Sequence, residues 1–169
     1  MTMEFGSLAD LAMHLGLKVA AGIEKEIGHG LERAAQAIET TAKEEIGTYQ
    51  DAAGPFPAWA PLAESTVADR IAKGFTPDDP LLRTGDLRDS IIHEVEGLEA
   101  TIGSTDEKME YMEFGTIKMP PRPVMGPALF HNAEKVQKLI GNAAVSVMVG
   151  GDPAEPRHGY TLEGSGEQD

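Results

Sequence analysis

Cysteine is absent from the 169 residues. That excludes a disulfide framework and any thiolate metal site, and it fits synthesis in a reducing cytoplasm. No run of about 18 apolar residues occurs, so no segment has the makings of a membrane span. The N-terminus offers acids and glycines where a secretory signal would carry basic residues and an unbroken apolar stretch. Bases are scarce as well, 14 against 28 acids, for a formal charge of -14. The excess is spread along the chain, -4 over residues 1–50, -7 over 51–126 and -3 over 127–169. Such a surface repels phosphate backbones and excludes nucleic-acid binding through a basic patch. It leaves solubility, or a surface that faces DNA without sticking to it.

The groups that chemistry needs never gather. His14, His29, His93, His131 and His158 are isolated in sequence. His93, Glu94 and Glu96 do not make a metal set, because adjacent strand residues point to opposite faces. Asp89, Ser90 and His93 have no nucleophile elbow or oxyanion loop beside them and read as solvated strand and turn residues. Gly103-Ser104 and Gly115-Thr116 are single-glycine turns, not phosphate cradles. No catalytic residue, cofactor or metal ligand is therefore assigned, and no enzyme activity is expected.

What is present is pattern. At this length the chain is one domain, or one domain with appendages. Leu11, Leu15, Val19, Ile23, Ile27 and Leu31 recur every fourth residue, and Ala35, Ile38, Ala42 and Ile46 carry the stripe on, so residues 1–50 read as an N-terminal helical segment. Gly16, Gly22, Gly28 and Gly30 weaken it. They predict a break near 28–30, or a close approach by another backbone. Residues 51–61 form a connection holding Trp59, the single tryptophan. Pro61 suits the start of a short helix anchored by Leu62, Val67 and Ile71 and ended by Gly74. A hairpin follows, with strands over 90–97 and 99–103 turning at Gly97. Residues 105–110 read as loop, and Tyr111–Phe114 suit a strand or, in preference, a short helix closed by Gly115. Residues 117–125 hold three prolines and suit an edge strand or extended arm. Pro127 opens a second amphipathic helix through Leu129, Phe130, Ala133, Val136, Ile140, Ala144 and Val147. The α+β core thus spans 51–149, and 150–169 reads as a flexible tail.

Arg83 and Arg122 sit in turn-like motifs among apolar neighbours, where a guanidinium ties carbonyls or acids together, within one chain or between subunits. Trp59, beside prolines, suits a core edge or an interface.

Trp59-x-Pro61-Leu62 with Thr66, then Leu82-Arg83-Thr84-Gly85-x-Leu87-x-x-Ser90-Ile91, resembles the tail-completion and virion-morphogenesis proteins of tailed bacteriophages. Ile102-Gly103-Ser104, Tyr111-Met112-Glu113-Phe114-Gly115-Thr116 and Pro121-Arg122-Pro123 continue the likeness, which covers roughly residues 55–145. Met112 stands where that family commonly has alanine, and Val124 where it has an aromatic. The resemblance implies an α+β fold, a small antiparallel β-sheet packed by a long N-terminal helix and a C-terminal helix. It also implies a structural virion protein forming a ring, most often a homo-hexamer, at the head-proximal end of the tail. Its partners would be further copies of itself, the neck or connector proteins and the major tail tube protein. Genomic DNA would pass through without tight binding. Its place would be the virion, after assembly in the host cytoplasm and away from any membrane. On that reading Trp59, Arg83, Phe114, Met119, Pro121, Arg122 and Val124 are candidate inter-subunit residues, with 117–125 as the arm. A capsid-side adaptor or stopper ring and an acidic DNA mimic are the alternatives.

Overall fold

The computed structural model describes residues 7–149; residues 1–6 and the expected tail over 150–169 lie outside it. Helix α1 (Leu8–Glu45) is followed by α2 (Glu64–Ala72), α3 (Asp86–Asp89), strands β1 (Ile91–Glu96) and β2 (Glu99–Ser104), α4 (Lys108–Phe114) and α5 (Met125–Val149). The fold is α+β, two long helices packed with a two-stranded antiparallel sheet.

α1 is the spine. Its 38 residues run about 57 Å at the helical rise of ~1.5 Å per residue. Of the two expectations for Gly28–Gly30, the break does not occur and the close approach does. The glycine cost is offset because Gly30 lets α5 come close: a Cβ there would lie 3.1 Å from the Ala143 Cβ and 3.2 Å from the Leu139 carbonyl oxygen. Small residues are buried on both helices, Ala34, Ala35 and Ala42 on α1 and Ala128 and Ala143 on α5. Two polar ties cross between them: Asn132 Nδ2 donates to Thr41 Oγ1 at 2.7 Å, and to its own helix's Ala128 carbonyl at 2.9 Å, while His131 meets Glu45. Gly30 facing Ala143 while Thr41 faces Asn132 makes the helices antiparallel.

The phase expected for α5 needs correcting. Leu129, Phe130 and Ala133 are exposed, whereas Ala128, Asn132 and Ala143 are buried. A tight helix contact takes the small residues and turns the large ones outward.

The hairpin lies against α1. Ile91 pairs with Ser104 and Glu96 with Glu99, leaving Gly97-Leu98 as the turn, with Gly97 at φ 59°. Period two holds in β1: Ile91 is buried and His93 and Val95 half-buried, while Ile92, Glu94 and Glu96 are exposed. Ile38, Ala42, Ile46, Trp59, Leu87, Ile91, Met109, Val124 and Ala128 form the core where α1, the hairpin and the start of α5 meet.

Three boundaries differ from the sequence reading. The helix expected at Pro61 begins at Glu64, and Ile71 is exposed instead of anchoring it. Lys108–Glu110, expected as loop, are the first turn of α4. Residues 117–125 are not a free arm: Thr116 and Met119 bridge in a tight turn, Arg122, Pro123 and Val124 are buried, and Met125 starts α5. At the head of that turn Gly115 has φ 72°, and a Cβ there would sit 2.8 Å from Pro121 N. Only glycine fits that turn without strain.

Candidate functional site

Residues 48–90 and 105–124 are mostly turns and short helices, so their backbone groups need partners from outside regular structure. Side chains supply them. Arg122 donates from Nε and Nη2 to the Ala60 carbonyl at 3.2 and 2.9 Å and from Nη2 to the Pro61 carbonyl at 3.1 Å. Trp59 Nε1 donates to the Pro123 carbonyl at 3.0 Å. Arg70 donates from Nε to the Thr76 carbonyl at 2.7 Å and from Nη2 to the Leu82 carbonyl. Tyr49 donates its hydroxyl proton to Asp78 and accepts the Leu62 N–H. Glu113 caps α5: its Oε2 accepts from the N–H of Val124 (2.7 Å) and Met125 (3.1 Å), and its Oε1 from Gly126 (3.2 Å). A carboxylate there also complements the positive end of the helix dipole.

These ties draw the start of α2, the segment Leu81–Leu87, α4 and the loop Lys118–Arg122 around one cleft of about 560 Å³. Its size is that of a typical recognition pocket. Leu62, Leu81, Leu87, Met112 and Met119 give it an apolar floor, and Leu81 is held at φ 61°, the only left-handed residue other than glycine among those described. Arg70, Arg83, Lys108, Lys118 and Arg122 also line it, with Asp86 as the one acid. Five of the seven bases between residues 51 and 126 therefore face a single cleft in a chain of charge -14.

These cations are not equivalent. Arg70 and Arg122 are each 4% exposed. Their partners are carbonyls, and neither has a carboxylate beside it among the described residues. Arg83, on the rim, pairs with Asp69 at 2.7 Å and lies 4.9 Å above the Phe75 ring. Lys73 first and Arg83 second hold the Asp69 carboxyl below its usual range. Lys108 reaches Asp106 at 3.1 Å, while the Lys118 ammonium has no ion pair among the described residues.

Elsewhere, titratable groups tie the elements to α1. His93 is not a solvated strand residue: its Nδ1 bonds Glu39 and its Nε2 meets Glu32 at 3.1 Å. Those two hydrogen bonds, Glu39's the stronger, hold the imidazolium above the usual histidine range. Glu39 is drawn down by Lys43 and then His93. Glu45 is buried beside His131 at 3.2 Å with its second oxygen unpartnered. Burial, with Glu113's charge second, pushes its carboxyl up to about 7. Ser90 bonds Ser104 and Asp89 meets Arg88, so Asp89, Ser90 and His93 do not converge. No group of three or more metal-ligating side chains occurs among the described residues, and no described helix is long and apolar enough to cross a membrane.

The residues singled out from sequence divide sharply. Trp59, Arg122 and Val124, candidates for an inter-subunit contact, are buried, and Trp59 and Arg122 serve as internal ties. Val124 is 0% exposed and offers a neighbour no surface. The open choice for Arg83 gains an internal partner, Asp69, though its side chain stays on the rim. Phe114 is 78% exposed and Pro121 is exposed, beside a fully exposed Ile117; Met119 is half-buried in the cleft. Lys108, Lys118, Arg70 and the capping Glu113 were not singled out. Their signal was available for the bases, which are few between residues 51 and 126 in a stretch rich in acids. No protein-family model, curated protein or solved structure matches the chain.

Proposed function

We propose that this chain is a structural, non-enzymatic subunit of a tailed-bacteriophage particle. Copies of it form a ring, most simply of six, at the head-proximal end of the tail. The ring completes the tail, joins it to the neck and lets genomic DNA pass, its acidic surface repelling the phosphates. It contacts the major tail tube protein on one side and the connector proteins on the other.

One observation carries this reading. Nine of the residues that gave the phage-like order, Pro61, Leu62, Thr66, Arg83-Thr84-Gly85, Leu87, Met112 and Arg122, lie up to 61 positions apart, yet line the same cleft. An apolar floor with a cationic rim suits the binding of another acidic protein surface. The exposed Phe114 and Ile117 beside it extend that surface outward. The hairpin weighs against a capsid-side adaptor, since adaptors of that kind are largely helical.

Electron microscopy of lysates from a phage lacking this gene tests the proposal. Filled heads beside detached tails, or tails of uncontrolled length, are the expected result. Normal infectious particles would overturn it.

A further inference from the structure

The cleft has a complement on the same molecule. At the hairpin tip Leu98 is 56% exposed, and Glu94, Glu96 and Glu99 are exposed around it. None of the three acids has an ion pair among the described residues. Glu96 and Glu99 are moreover direct cross-strand partners, and like charges placed opposite one another destabilise a hairpin. An isolated subunit thus carries an apolar knob inside an uncompensated acidic collar. It also carries an apolar cleft whose rim holds Arg83, Lys108 and Lys118.

Knob and cleft cannot meet within one chain. β1 leaves the core at Ile91, near Leu87 on the cleft floor, and its six residues carry the tip about 20 Å away at ~3.3 Å per residue. The tip comes to rest by Gly28, whose Cβ would lie 3.6 Å from the Gly97 carbonyl oxygen. The cleft adjoins Arg122, just before α5, where α5 meets the far end of α1 near Glu45.

We propose that the occupant of the cleft is the hairpin tip of a second copy of this chain. Leu98 seats on the apolar floor, and Glu96 and Glu99 face Lys108, Lys118 and Arg83 on the rim. Donor and acceptor surfaces differ and do not overlap, so the contact is head-to-tail and repeats from copy to copy, closing a ring if the rotation allows. The inference deepens the ring reading above, and depends on it only for that closure.

The absence of cysteine makes the test clean. Chains carrying Thr101→Cys, near the tip, are mixed with chains carrying Thr66→Cys, on the cleft, and treated with a short bismaleimide. The expected product is a cross-linked dimer, at least tenfold above that from Thr101→Cys mixed with Glu134→Cys on the exposed side of α5. Lys108→Glu with Lys118→Glu in the cleft partner should cut the yield at least tenfold. Glu96→Lys with Glu99→Lys in the tip partner should restore it, which separates lost contact from lost folding. A yield no greater than the Glu134→Cys control, or one indifferent to the charge changes, overturns the proposal. Robust cross-linking with normal particles from the gene deletion would leave this contact standing and remove the tail role alone.

Discussion

The α1–α5 pair and the irregular region around the cleft reach stability by opposite means. In the helix pair the backbone satisfies itself, and beyond the Asn132–Thr41 and His131–Glu45 ties the contact relies on small residues such as Gly30 and Ala143. Around the cleft the backbone turns repeatedly and depends on long polar side chains, Arg70, Arg122, Trp59, Tyr49 and Glu113, to meet its carbonyls and amides. An arginine in this protein is therefore first a structural element. Among those of the cleft, Arg83 on the rim keeps its side chain exposed.

If that contrast is right, the cleft region should be the more fragile to a single polar truncation. Arg122→Ala strips three hydrogen bonds from two carbonyls and should cost about 4 kcal/mol in urea unfolding, with Arg122→Lys recovering a minority of it. Glu113→Ala leaves the first amides of α5 without their acceptor and should cost about 3 kcal/mol. Amide exchange should accelerate at Val124–Gly126 and hardly change near Ala143. The helix pair should answer to volume instead. Gly30→Leu forces α5 away from α1 and should cost about 2 kcal/mol, whereas exposed Glu134→Ala on the outer side of α5 should be near neutral. A larger loss from Gly30→Leu than from Arg122→Ala would break the contrast.

The smallest effect sharpens it through pH. The His93 pKa is raised in the folded chain, so its bonds to Glu39 and Glu32 contribute fully below the unfolded value near 6.5 and fade as pH rises through the folded one. Glu39 is lowered, so its share is complete above the unfolded value near 4.5 and is lost as pH falls through the folded one. Between about pH 4.5 and 6.5 His93→Ala should therefore cost most, about 1.5 kcal/mol. The cost should shrink towards pH 9, as read by thermal unfolding across the range.

Much of the architecture was legible because it is local. Alternation from Ile91 to Glu96 with Gly97 behind it identifies the hairpin, and Gly115 marks the end of α4. Pairings between distant elements were not legible. A glycine in a helical stripe reads equally as a break or as room for another backbone until the partner that needs it, Ala143, is known. The large residues Leu129 and Phe130 look like the buried face of α5, but close helix contact selected Ala128 and Asn132. Prolines at 120, 121 and 123 announce an extended backbone without saying whether it lies outside or, as with Val124, passes beneath the surface. Of the cleft residues Arg83, Met119 and Arg122 stand out singly from sequence, whereas Arg70, Lys108 and Lys118 do not. Their convergence rests on Arg122 and Trp59 reaching about sixty residues along the chain.

Glu45 carries a consequence for calorimetry. With its carboxyl at about 7 in the folded chain and near 4.5 in the unfolded one, stability drains away as pH climbs between those values. At pH 6 each molecule that unfolds hands most of a proton to the solution. His93, shifted in the same direction, adds to that discharge nearer pH 7. The heat absorbed on melting then includes the heat of protonating whatever buffer is present. Two buffers of equal pH and unequal ionisation enthalpy should report different unfolding enthalpies for this one chain, and Glu45→Gln should bring them closer together.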